Sequence, residues 1–168
     1  MWNIELLTTG GTIEKTYDEG SGELSNKRSI VPRMLKRLRL EDTNVNVRNL
    51  MSKDSQLMTD ADRTLITKTV RAMSELADGI VILHGTDTLP LTGDTLHNKL
   101  PDITVPVVLT GAMRPFEMVR SDALQNLTEA LIATKLLSPG IYVSAHSNVL
   151  KFPGVTKSYD KGTFIKQP

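Results

Sequence analysis

The 168-residue chain contains no cysteine. That excludes a disulfide scaffold, and with it Cys-ligated zinc, iron–sulfur clusters and thiol catalysis, so any chemistry falls to hydroxyl, carboxylate, amine and imidazole groups. An excess of either charge is missing too: 20 Lys and Arg face 19 Asp and Glu, for a net charge of +1. Phosphate-driven affinity needs a concentrated cationic surface, so no nucleic-acid partner is expected. No run approaches the ~18 consecutive apolar residues that cross a bilayer, and no membrane association is expected. The first residues, Met1-Trp2-Asn3-Ile4-Glu5, place an acid where a signal peptide carries a basic region, which reads as a soluble cytoplasmic protein. What is present is a 39% hydrophobic composition without low-complexity segments. A chain this long buries roughly 70% of its unfolded surface, enough for one domain.

Asn3 to Thr9 reads as a strand feeding the turn Gly10-Gly11-Thr12. Glu14 to Arg28 has few apolar side chains and reads as a mobile loop. Ser29 looks like a helix cap, with Pro32 in the first turn and Met34, Leu35 and Leu38 as the stripe. Val45 and Val47 alternate with polar residues in a second strand that runs to Leu50 and Met51. Thr59 or Asp60 caps a helix carrying Leu65, Ile66, Val70, Met73 and Leu76, and Gly79 to Leu83 follows as a buried strand ending at His84-Gly85-Thr86-Asp87-Thr88. A helix near Leu91–Leu100 leads into Val105 to Leu109 and the turn Thr110-Gly111-Ala112-Met113-Arg114-Pro115. A longer helix from Ser121 carries Leu124, Leu127, Leu131 and Leu136; strands follow at 141–146 and 149–152, then a loop-like tail. Alternating strands and helices predict an open, mostly parallel α/β sheet with helices on both faces, whose ligand crevice lies at the carboxyl ends of the strands.

Three of those strand ends are Thr- and Gly-rich. Thr12 and Thr86 each follow a glycine there, so two hydroxyls should face one crevice, with turn N–H groups available to an oxyanion. A threonine nucleophile needs a base. No Gly-x-Ser-x-Gly elbow is present, and none of the three histidines has an acid partner suggested by spacing. Lysine remains: a desolvated lysine can lose its proton near neutral pH, and Lys157 follows a Pro153-Gly154 turn. His84 and Asp87 alone make a poor metal site, and His84 is expected to orient its turn. Arg114 and Arg120 are expected to pair with Asp122 or Glu117, and Arg33, Lys36, Arg37 and Arg39 to form a solvated helix face.

Thr8-Thr9-Gly10-Gly11-Thr12-Ile13, His84-Gly85-Thr86-Asp87-Thr88-Leu89 and Thr110-Gly111-Ala112-Met113-Arg114-Pro115 resemble the signature segments of bacterial-type L-asparaginases. Asp54-Ser55-Gln56-Leu57-Met58 resembles that family's Ser-Gln substrate segment, and Val155-Thr156-Lys157 the stretch with its catalytic lysine. Order and rough spacing agree over nearly the whole chain. The resemblance implies hydrolysis of L-asparagine to L-aspartate and ammonia, with weak action on glutamine beside it. It makes Thr12 the nucleophile of an acyl-enzyme and Tyr17 its partner when the loop closes. Thr86, Lys157 and Asp87 become a second triad, Asp87 and Gln56 hold the substrate ammonium, and Ser55 holds its carboxylate. Gly11 lies against the substrate, and the Ala112 carbonyl receives the leaving nitrogen. No cofactor or metal is implied.

Family members are usually about twice this long, with a second domain that lends a residue to a neighbouring subunit's site. Residues 1–168 are therefore expected to be a single N-terminal-type catalytic domain, either a natural short form or a fragment. The presence of every main catalytic position favours the short form. Full-length relatives form dimers and tetramers, so a homo-oligomer is expected. The rival readings are hydrolysis of another small amide, a non-catalytic amino-acid-binding or regulatory module, and an ammonia-releasing subunit of a tRNA-dependent amidotransferase.

Overall fold

The computed structural model describes residues 1–167. Its centre is a six-stranded sheet built from β1 (Trp2–Gly10), β4 (Thr43–Lys53), β5 (Gly79–Leu83), β6 (Pro106–Thr110), β7 (Gly140–Ala145) and β8 (Asn148–Lys151), in the order β4-β1-β5-β6-β7-β8. All neighbours run parallel except β8, which pairs antiparallel with β7 at the edge. This is the open, mostly parallel α/β sheet that the alternation of elements predicts.

Successive residues of each inner strand are sorted to opposite faces. Ile80, Ile82, Val107, Leu109, Ile141 and Val143 pack in one layer beneath α2 (Asp60–Met73) and α3 (Leu89–Lys99). Val81, Leu83, Val108 and Tyr142 pack in the other, beneath α1 (Val31–Leu35) and α4 (Ala123–Leu136). A strand covered on both faces reads as a continuous apolar run, which is why Gly79–Leu83 is legible as a strand. Thr59 caps α2 with a reciprocal box: its hydroxyl accepts the Asp62 N–H at 3.2 Å, and Asp62 accepts the Thr59 N–H at 2.8 Å.

Several sequence expectations need correction. Leu65 and Leu76 are exposed, because the inward face of α2 runs through Arg63, Ile66, Thr67 and Val70, and Leu76 lies beyond the helix end. Leu136 is likewise exposed, off the α4 face formed by Leu127, Ala130, Leu131 and Thr134. Ile30, not Ser29, is the N-cap residue of α1; the Ser29 hydroxyl accepts the Val31 N–H at 3.4 Å while donating to Glu14. The segment expected to be a loop contains a small hairpin, β2 (Thr16–Asp18) with β3 (Glu23–Ser25). The tail also holds a hairpin, β9 (Val155–Ser158) with β10 (Thr163–Lys166), anchored by Val155 and Phe164 in the core. Arg33, Lys36, Arg37 and Arg39 do face solvent, but they do not share a helix face: α1 ends at Leu35, so only Arg33 lies on it.

Candidate active site

The carboxyl ends of β1, β5 and β6 are pressed together through glycines. At Gly11 (φ +81°) an added Cβ would lie 2.5 Å from both Cα and N of Gly85, so only a residue without a side chain lets these turns touch. An added Cβ on Gly85 would lie 2.6 Å from Ser55 Cβ; on Gly111 it would lie 2.3 Å from the His84 carbonyl oxygen and 3.1 Å from Thr86 Cγ2. These contacts gather the turns bearing Thr12, Ser55, Thr86 and Ala112 at one end of the sheet. The cleft between α4 and the segment after α1, about 360 Å³ and lined by Leu38, Leu40, Leu131 and Ile132, offers among the described residues two hydroxyls, Thr43 and Thr128, and both donate to backbone carbonyls, of Glu41 and Leu124.

At the second turn, Lys157 Nζ donates to Thr86 Oγ1 at 2.8 Å and to Asp87 Oδ1 at 2.6 Å. Gln56 Nε2 donates to the other Asp87 oxygen at 2.9 Å. The ammonium beside it, then the Gln56 amide, outweigh partial burial and hold the Asp87 carboxyl below the usual carboxylate range. Thr86, Asp87, Gln56 and Lys157 are thus brought into one hydrogen-bonded group. Ser55 sits beside them, its hydroxyl accepting the Thr88 N–H at 3.3 Å while its carbonyl accepts the Thr88 hydroxyl at 2.9 Å.

The first turn is organised differently. Gly11 donates its N–H to the Lys53 carbonyl at 2.9 Å, and its own carbonyl accepts Asn26 Nδ2 at 2.8 Å, so Gly11 contributes its close approach rather than a free donor. Thr12 opens a 3-10 turn, Thr12–Glu14, and among the described residues no partner holds its hydroxyl. The Thr12 and Thr86 N–H groups are also without partners among the described residues, leaving both as donors for an oxyanion. Tyr17 is 58% exposed on the β2–β3 hairpin, and its hydroxyl makes no hydrogen bond to Thr12; its N–H donates to Glu117 at 3.1 Å. Ala112 is buried in the third turn.

Sequence reasoning misses several residues here. Tyr159 donates its hydroxyl to Asp87 Oδ1 at 3.2 Å, and Lys157 Nζ lies 4.7 Å from the centroid of its ring. It stands two residues after Lys157, in the turn that joins β9 to β10, so its nearness shows only once the tail is known to be a ribbon. Lys15 pairs with Asp54 at 3.1 Å, joining the Thr12 turn to the Ser55 turn. Glu14 is buried, accepting the Gly10 N–H at 3.1 Å and the Ser29 hydroxyl at 2.7 Å; burial pushes its carboxyl up. Asp122 binds the Met113 and Arg114 N–H groups and the His146 ring, and Glu117 pairs with Arg33 at 2.8 Å, so among the described residues the expected pairing of the Arg114 and Arg120 side chains is not found.

His84 is fully buried behind the second turn. Its Nδ1 meets the Gly85 carbonyl at 2.8 Å and its Nε2 meets Thr92 Oγ1 at 2.8 Å, which fixes the turn; burial lowers its pKa to about 4.

The family model described as asparaginase, N-terminal, matches residues 3–163. An L-asparaginase of Thermococcus kodakarensis is 32% identical over 157 residues, covering 94% of this chain and 48% of that protein. A subunit of the glutamyl-tRNA(Gln) amidotransferase of Methanobrevibacter smithii is 32% identical over 153 residues, covering 88% of this chain and 34% of that protein. Among solved structures, the probable cytoplasmic L-asparaginase of Campylobacter jejuni superposes with a TM-score of 0.79 at 26% identity, over 99% of this chain and 52% of that one. The chain spans about half the length of the L-asparaginases it matches, and about a third of the amidotransferase protein.

Proposed function

We propose that this chain, which belongs to the asparaginase family by its match over residues 3–163, hydrolyses the side-chain amide of L-asparagine to L-aspartate and ammonia. The observation that carries the reading is Lys157 Nζ held between Thr86 Oγ1 at 2.8 Å and Asp87 Oδ1 at 2.6 Å. A hydroxyl, an amine and a carboxylate in that order form a proton relay: once the ammonium has given up a proton, the amine can accept one from Thr86 or from water through it.

In this reading Thr12 attacks the carboxamide carbon, and its N–H and that of Thr86 face the developing oxyanion. The proton that Thr12 gives up passes to the Thr86–Lys157 relay and is returned to the amide nitrogen, so that the tetrahedral species collapses to an acyl-enzyme as the C–N bond breaks and the nitrogen leaves as ammonia past the Ala112 carbonyl. Water delivered by Thr86 and Lys157 then cleaves the ester. Tyr17 joins Thr12 when the hairpin closes, and Gly11 brings that turn against the substrate. Asp87 suits the substrate ammonium: a carboxylate offers about four acceptor positions, and Lys157, Tyr159 and Gln56 occupy three. Ser55 Oγ accepts the Thr88 N–H and keeps its proton for a carboxylate.

Residues 1–168 act in this proposal as one catalytic domain, cytoplasmic like the Campylobacter neighbour and assembled as a homo-oligomer, which light scattering at two concentrations tests. The experiment for the activity is ammonia release from purified protein given asparagine, with glutamine as the comparison. Turnover that drops in both Thr12→Ala and Thr86→Ala supports the reading; asparagine binding without ammonia release sinks it. The likeness to the Methanobrevibacter amidotransferase protein supports a second reading, in which the released ammonia serves a partner. Ammonia release that rises severalfold on adding glutamyl-tRNA with a partner protein would favour it.

A further inference from the structure

Two pieces of the candidate site lie outside the central ladder. The ribbon carrying Lys157 pairs only with itself, and the turn carrying Ala112 leaves the sheet after Thr110. Both meet at one imidazole. His146 Nε2 lies 2.7 Å from Asp122 Oδ2, and its Nδ1 lies 2.8 Å from Thr163 Oγ1. Asp122 in turn accepts the N–H groups of Met113 at 2.9 Å and Arg114 at 3.0 Å, the two residues after Ala112. Thr163 stands opposite Ser158 in the ribbon, and its neighbour Phe164 stands opposite Lys157. A polar chain therefore runs from the third turn through the His146 ring to the strand that faces the lysine.

The backbone at this point is held in a conformation that a loose loop would not keep. His146 and Ser147 have φ of +53° and +63°, and such residues persist where their surroundings fix them. The fixing contacts are visible: Asn126 Oδ1 accepts the His146 N–H at 3.0 Å, and Glu129 accepts the Ser147 N–H at 2.9 Å. Asn126 also donates to the Gly111 carbonyl at 2.8 Å, so the same side chain orients His146 and the third turn. Burial alone would raise the Asp122 carboxyl, but the Met113 N–H, then the His146 ring, outweigh it and keep the group below its ordinary range, an ionised acceptor. The bridge survives either charge state of the ring. A neutral imidazole donates from Nε2 to Asp122 and accepts the Thr163 hydroxyl proton at Nδ1; an imidazolium donates to both oxygens.

We propose that His146 is a positioning residue, bridging Asp122 and Thr163 so that the Ala112 turn and the Lys157 ribbon keep a fixed separation across the site. Its catalytic consequence rests on the amide-hydrolysis reading; its structural consequence does not. The test therefore uses two readouts. Acetic anhydride labelling of the intact protein, read by mass spectrometry, reports the accessibility of Lys157, with Lys53 and Lys135 as internal controls. Thr163→Val removes only the hydroxyl, Thr163→Ser restores it, and His146→Ala removes the bridge.

Thr163→Val and His146→Ala should speed labelling at Lys157 by about fivefold, the equivalent of one net hydrogen bond, with the control lysines unchanged and Thr163→Ser matching wild type. With asparagine, the same two variants should lose about tenfold in kcat while KM moves less than about twofold, because small misplacements act on the reacting geometry. Unchanged Lys157 labelling in Thr163→Val overturns the proposal, and that variant decides alone should His146→Ala fail to fold. If wild type releases no ammonia, the hydrolysis reading fails while the labelling still decides the bridge.

Discussion

Lys157 and Asp87 stand 2.6 Å apart across 70 residues of chain, and Thr86 shares the same ammonium at 2.8 Å. The carboxylate thus orients the lysine, and the lysine is the main reason the carboxyl titrates below its ordinary range.

Replacing Lys157 by methionine keeps much of the stem and removes the relay. Asparagine turnover should fall by about 10²–10⁴-fold, the usual worth of a positioned acid–base group, while circular dichroism stays that of wild type. Full turnover in this variant would refute the relay.

Activity should also fail in acid through Asp87. Its folded pKa is depressed, so the pairing is complete above the ordinary carboxylate value of 3.8 and is lost as pH falls through the lower, folded value. In Asp87→Asn the acid limb of the kcat/KM profile should lose this component, along with most of the activity.

The His84 ring gives a separate acid limb, in stability. Its pKa drops from 6.5 to about 4 on folding, so its contribution is complete above pH 6.5 and is lost as pH falls through about 4. The span corresponds to at most roughly 3–4 kcal/mol. Urea midpoints measured from pH 7 to 4 should decline in wild type and decline less in His84→Gln.

Two glycines of positive φ contrast a crowded position with an open one. Gly11 and Gly154 both have positive φ, +81° and +85°, but an added Cβ meets backbone 2.5 Å away at Gly11 and nothing within 4 Å at Gly154. Gly154→Ala should cost only the left-handed penalty of about 1–2 kcal/mol. Gly11→Ala should cost a further ~1–3 kcal/mol of overpacking and abolish turnover. Equal urea midpoints for the two variants would refute the close approach.

The central strands are legible in the sequence because burial on both faces leaves an unbroken apolar run, as in Ile80 to Leu83. The two hairpins are not, since strands of three or four residues with mixed exposure carry no clear period. Thr12 and Thr86 can be singled out because each follows a glycine at a strand end. Tyr159 and His146 cannot: the first needs the ribbon around Lys157, and the second meets Asp122 from 24 positions away, a distance no local pattern records. Tyr17, placed by the resemblance beside Thr12, is exposed on the β2–β3 hairpin, where it pairs with Leu24, and its hydroxyl makes no hydrogen bond to Thr12.

The separateness of the β9–β10 ribbon bears on synthesis. During translation every strand of the parallel sheet leaves the ribosome before residue 155, so the crevice can take shape while Thr86 still lacks its amine. Under the proposed relay, competence waits for the docking of this ribbon of a dozen residues, and a nascent chain halted before it would carry the strand scaffold without the amine.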